Sequence, residues 1–317
     1  MKIHSLFITL LTITTSFSSF AQPYPVKPVR WVVPYAPGGG VDIMARLLAP
    51  RLAIDLGQPV VVDNRGGGGA ILGTELVAKS NPDGYTFLFT NPAHVSNPSL
   101  NSKLPYDTLR DFTGVSLAGL SSSVLVVNPS VNVKTVRDLV NLAQAKPGQL
   151  NYASAGVGSA IFLGMELFKS VAKLNIVHIP YKGASPALTD VIGGQVPVMF
   201  LAISPAVPHI KSGKLRALGT GSAKGLSVIP EVPPIADTFP GFDHTDWYGL
   251  VAPAGTTKFV INVLNKAINQ AFLSEEIRQR MSTLGTEPAG STVEAFNLRL
   301  AKETLKWHEV FSSNKPR

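Results

Sequence analysis

Between residues 29 and 220, short apolar runs of strand length alternate with helix-length amphipathic stretches. A parallel strand pair needs a long crossover, and a helix supplies it, so this alternation predicts an α/β chain with a mostly parallel sheet. A first series runs strand 29–34, helix 41–56, strand 60–62, helix 71–78, strand 85–90. A second runs strand 124–127, helix 136–146, strand 151–153, helix 158–172, strand 177–179, helix 186–192, strand 196–200, helix 205–211, strand 215–220. A proline-rich stretch, 225–240, has little periodicity; a strand at 247–251 and helical stretches at 258–281 and 293–311 follow. Pro50 inside the first helical pattern predicts a kink, and Gly57 and Pro59 predict its end.

Two series of strands predict two lobes. The C-terminal helices bring no strand series of their own and must pack back on one of them. The chain then crosses twice, with hinges expected near Ser121-Ser122-Ser123 and near Thr245 to Trp247. The expected division is a first lobe of 22–121 and 247–317 and a second of 122–246. Ligands of α/β sheets bind beyond the carboxyl ends of the strands, so two facing lobes enclose a cleft.

The first residues form a targeting pattern. Lys2 precedes an apolar, Ser- and Thr-rich run from Leu6 to Phe20, and Ser19-Phe20-Ala21 fits a small-x-small cleavage rule, giving a signal peptide of 1–21 cut after Ala21. An N-terminal anchor helix is the other reading of the same run, which is short for a membrane span. The chain has no cysteine, which excludes a disulfide framework, a thiolate metal site, a catalytic Cys and a lipid anchor on an N-terminal Cys. The formal charge of +8 comes from dispersed cations; the densest group is only Lys211, Lys214 and Arg216, so no nucleic-acid partner is expected.

The strongest chemical feature is Pro34-Tyr35-Ala36-Pro37-Gly38-Gly39-Gly40-Val41-Asp42, where a strand runs into three glycines and a helix start. Backbone N–H groups there, with no Cβ in the way, make an anion cradle; a plain tight turn is the alternative. Asp42 fits a cap or dipole partner. No further glycine or Gly-Lys-Ser/Thr follows, so neither a dinucleotide fingerprint nor a P-loop is present. The stretch from Ser154, Ala155 and Gly156 through Gly158 and Ser159 also joins a strand to a helix, and Ser159 is equally an N-cap or a ligand contact. Thr90, Asn91 and His94 stand at a third strand end; a lone His is usually structural. Asp243 and Asp246 flank His244 beside Trp247, a group expected to be solvated. No Gly-x-Ser-x-Gly elbow or His-Glu-x-x-His helix occurs, and neither an enzyme activity nor a cofactor is expected.

Nine stretches in order resemble one family. They are 28–42, 56–65, Asn81-Pro82-Asp83-Gly84-Tyr85-Thr86, Leu104-Pro105-Tyr106-Asp107, 150–156, His178-Ile179-Pro180-Tyr181-Lys182-Gly183, Gly193-Gly194-Gln195-Val196, 208–217 and 249–256. They resemble the substrate-binding proteins of tripartite tricarboxylate transporters, the Bug family of periplasmic receptors. The resemblance implies a two-lobed type II periplasmic binding protein fold with a hinge and an interlobe cleft for a small organic carboxylate. It also implies membrane permease subunits as partners, a periplasmic location and a monomer. A sensory module serving a membrane receptor, or an exported hydrolase, are the competing functions. The family's carboxylate loop maps onto Tyr35 to Gly40, and the opposite lobe's loop onto Ser154 to Ser159. Many relatives place an aspartate where Leu201 follows Phe200, an acid that meets the ammonium group of amino-acid ligands. Leu201 therefore predicts a ligand without an ammonium group, in contact with Phe200 and Leu201.

Overall fold

A computed structural model describes residues 24–313. The predicted signal segment lies outside the described residues. The first series forms β1 (Val29–Val33), α1 (Gly40–Leu56), β2 (Val60–Asn64), α2 (Ile71–Ala78), β3 (Thr86–Thr90) and α3 (Ala93–Leu100). A strand of 16 residues, β4 (Phe112–Val127), leads into α4 (Val136–Ala145), β5 (Asn151–Ser154), α5 (Ala160–Ala172), β6 (Val177–Pro180), α6 (Ala184–Ile192), β7 (Val198–Ala202), α7 (Ile203–Lys211) and β8 (Arg216–Thr220). The chain closes with β9 (Thr245–Pro253), α8 (Lys258–Ala271), α9 (Glu275–Thr283), β10 (Thr286–Glu287) and α10 (Val293–Ser313).

Strand order is β2-β1-β3-β9-β4-β7-β5-β6, with β8 and β10 pairing β4 off this path. The β2-β1-β3 and β6-β5-β7 groups are parallel, as the helical crossovers require; β9 and β4 run antiparallel to their neighbours. β4 serves both groups. Its residues from Phe112 to Ser122 pair with β9, and those from Ser123 to Val127 pair with β7. Ser121-Ser122-Ser123, expected as a connecting hinge, thus lies inside a strand, with Ser122 opposite Thr245 at the point where the chain returns.

α1 runs through Pro50, which is exposed, and buries Met44, Ala45, Leu48 and Leu52; Gly57, at φ 65°, ends it in the left-handed turn that suits glycine. The helical stretch 258–281 is two helices, broken at 272–274. The C-terminal helices pack on the first sheet. Asn265 Nδ2 donates to the Val115 carbonyl at 2.8 Å, Asn297 Oδ1 accepts the Gly114 N–H at 2.9 Å, and the buried Phe296 meets Trp247 edge to face at 5.6 Å.

Candidate functional site

The carboxyl ends of β1 and β3 face those of β5 and β7, and a cavity of about 30 Å³ lies between them. Tyr35, Gly39, Gly40, Val41 and Asn91 line it from the first sheet, with Asp246 and Tyr248 from β9. Ala155, Ser159, Ala160, Ile161, Ala184 and Ala202 line it from the second. A volume of this size holds about two waters and no organic acid, since one water needs roughly 10–15 Å³ of such space.

Four of these residues are helix starts. Gly39, Ser159 and Ala202 are the N-caps of α1, α5 and α7, and Ala184 is the first residue of α6. Each start directs N–H groups and the positive end of a peptide dipole, about half a charge, at its surroundings. No side chain caps α1; Gly39 is extended there (φ −80°, ψ 167°). A Cβ on Gly40 would lie 2.5 Å from Tyr248 Oη and 3.1 Å from Ala202 Cβ, so the chain wall is close on that side. Asp42 takes the second of its two expected roles, a dipole partner in the first turn: its carboxylate accepts the Gly38 N–H, just ahead of the N-cap, at 2.9 Å and bonds Arg46 and Asn64. Ser159 is an N-cap, accepting the Phe162 N–H at 3.3 Å, and it lines the cavity as well.

The cavity lining has no Lys or Arg and one carboxylate, Asp246. Asp246 is 2% exposed. One oxygen accepts the Trp247 N–H at 2.9 Å. Burial pushes its pKa up to about 7; the Trp247 N–H opposes this, Glu303 adds to it and Arg299 opposes it. Tyr35 Oη donates to Asn91 Oδ1 at 3.0 Å. The buried Tyr248 Oη makes no hydrogen bond, with Ser121 and Ser204 close by but outside bonding geometry. Burial, with Asp246 nearby, holds both phenols well above their ordinary range.

Of the residues predicted from sequence, Tyr35, Gly39, Gly40, Asn91, Ala155 and Ser159 meet at this cavity. Thr90 is buried one residue behind, with an unpartnered hydroxyl. Pro37 and Gly38 are exposed; the Pro37 carbonyl accepts the Ser185 hydroxyl across the cleft. Ser154 Oγ is turned to His178 Nε2 at 2.6 Å. Gly156 faces the loop at Gly69 instead, and Gly158 faces Asn97 on α3. His94 is the structural histidine expected: it is fully buried against Phe112.

Phe200 and Leu201 require correction. Successive β7 side chains alternate, Phe200 entering one apolar cluster beside Phe242 and His244 and Leu201 another. Both are fully buried and neither lines the cavity, which β7 reaches only at Ala202. Leu201 therefore does not make the cleft acid-free. Asp246, expected to be solvated, supplies the acid, because alternation from the start of β9 puts Asp246 and Tyr248 inward and leaves Asp243 and Thr245 outside. That alternation was the sequence signal for both. Ala160, Ile161, Ala184 and Ala202 had a weaker one, their place where a strand gives way to a helix. Among the described residues no group of His, Cys, Asp and Glu is placed to hold a metal.

A family model described as "Tripartite tricarboxylate transporter family receptor" matches residues 44–313. Protein BugT of Bordetella pertussis (strain Tohama I) is 37% identical over 92% of this chain and 90% of its own. Among solved structures, the periplasmic binding protein BugD superposes with a TM-score of 0.89 at 31% identity, covering 92% of this chain and 98% of that one. MatC of Rhodopseudomonas palustris, with bound malate, gives 0.86 at 31% identity, covering 91% and 100%. The expected two-lobed periplasmic binding fold is thus observed, and the chain belongs to the tripartite tricarboxylate transporter receptor family.

Proposed function

We propose that the protein captures a small organic carboxylate between its sheets, where the cavity widens as the lobes part to admit it, and hands it to the permease subunits of a tripartite tricarboxylate-type transporter. The observation that carries this reading is the convergence of four helix starts on one buried cavity without a lysine or arginine. Such a site binds an anion through N–H groups and dipoles, as P-loops bind phosphate. The malate held by MatC is the same kind of anion.

Of the described residues, 24–121 and 247–313 move as one lobe and 122–246 as the other, with β4 and β9 as the two crossings. The cavity encloses its ligand by closure and needs no nucleophile or general base; the protein binds and releases its ligand unchanged. The chain is exported, cut after Ala21, and works in the periplasm as a monomer. A thermal-shift panel of mono-, di- and tricarboxylates tests the reading, since a ligand bound only by the folded state raises the melting midpoint. If no acid moves the midpoint, the carboxylate assignment is wrong.

A further inference from the structure

Within the fold Asp246 has a single hydrogen bond and no ion pair among the described residues. It pairs with no cation, its partner among the described residues is the adjacent Trp247 N–H, and it stands in a cavity otherwise built to attract negative charge. A buried carboxylate without a counter-charge is costly. The cost is recovered if the ligand brings the missing cation.

We propose that Asp246 selects the ligand, meeting the ammonium group of a zwitterionic amino acid whose carboxylate rests on the helix starts of α1 and α5. This rests on the carboxylate reading above and narrows it. The site's own charges favour the zwitterion. The helix starts at Gly39 and Ser159 take the carboxylate, while Asp246, on β9 beside Tyr248, offers the opposite sign a short way off. A dicarboxylate of equal size adds two negative charges to a cavity that already holds one and has no Lys or Arg in its lining. The apolar remainder, including Val41, Ile161 and Ala202, is suited to the ligand's side chain.

The groups facing Asp246 are Tyr35 ahead of α1, Tyr248 on its own strand, and Glu303 and Arg299 on α10. Both phenols stay neutral across the accessible range, so the charge of the site changes with Asp246 itself. Burial places that change at about pH 7. Amino-acid affinity therefore rises from pH 6 to pH 8 as Asp246 ionises, and the affinity of the same acid without its amino group falls.

The test is calorimetry of the mature protein at pH 6 and pH 8 with matched pairs: glutamate and glutarate, aspartate and succinate, leucine and 4-methylpentanoate. The expected result is at least one amino acid bound tenfold or more tightly than its partner at pH 8, with opposite pH trends. Asp246→Asn, nearly the same shape, then removes that tenfold preference and both pH trends. Amine-free acids binding more tightly than amino acids at pH 8 overturn the proposal and leave the carboxylate reading standing. Binding of neither class overturns both. The comparison on the unmodified protein decides the matter even if the variant does not fold.

Discussion

The hydroxyl of Tyr248 is buried, points at the start of α1 and has no hydrogen-bond partner. Leaving a polar atom in that state costs stability, roughly 1–3 kcal/mol. Tyr248→Phe is therefore expected to leave the melting midpoint unchanged or raise it, while ligand affinity in calorimetry falls about tenfold, or 1.4 kcal/mol. A variant that melts lower and binds as before would show a structural role instead. Gly40→Ala works from the opposite side, setting a methyl 2.5 Å from Tyr248 Oη. It should cut affinity by about tenfold or more with the fold retained, checked by calorimetry beside circular dichroism. Buried titrating groups set a pH profile too. Burial holds His94 down to about 3 and His244 to about 4, so each favours folding above 6.5, and that support fades as the pH falls. Asp246 works the other way, binding a proton more tightly when folded, so its contribution is complete below 3.8 and lost as the pH rises through 7. Burial lowers His178 as well, so between pH 4.5 and 6 the depressed histidines outweigh one aspartate, and stability should climb with pH. Asp246→Asn removes the opposing group, and the slope should steepen by about 1.4 kcal/mol per pH unit in denaturant titrations at pH 5 and 6. An unchanged slope would mean that Asp246 keeps its charge when buried. The place of Gly39 and Gly40 at the cavity was legible at this scale because glycines between a strand and a helix leave the helix start open. Asp246 was not, because its neighbours Asp243 and His244 made the whole group look like an exposed polar loop.

Elements between residues 29 and 90, and again between 136 and 220, were legible because apolar runs there end at glycine or proline. β4 was legible only over its last four residues. Its first twelve, Phe112 to Ser123, mix Gly and Ser among apolar residues, and glycine is depleted in strands. The strand is also buried along most of its length, so no polar face marks the alternation. α3 was missed because it is one of the shortest helices and has Pro98 inside it. Pro50 in α1 has no partner role in the site, and its ring costs the helix an N–H bond. Pro50→Ala should raise stability by roughly 1–3 kcal/mol, seen as a later denaturant midpoint at constant slope. A decrease would show that the proline shapes the helix for a purpose.

At the scale of the molecule, the proposed closure is expected to depend on a backbone contact away from the cavity. Gly69, at φ 63°, faces the second sheet's loop so closely that a Cβ would lie 1.8 Å from the Val157 carbonyl oxygen, and the Gly69 carbonyl accepts from Asn97 Nδ2 at 2.9 Å. Gly69→Ala should hold the lobes apart. Ligand then lowers the radius of gyration of the unmodified protein in X-ray scattering but not that of the variant, whose affinity drops although no cavity residue has changed. Equal compaction in both would place the closing contact elsewhere. The strand order has a consequence for how such a molecule comes into being. β3 and β4 follow one another in the chain, yet β9 lies between them in the sheet. Nothing before Thr245 can fill that gap, whereas β5 to β8 come from one unbroken stretch of chain. The part begun first is therefore completed last, after more than two-thirds of the polypeptide has emerged, and its loop-closure entropy is spent late. The export proposed above would then carry a chain whose first sheet has not yet closed.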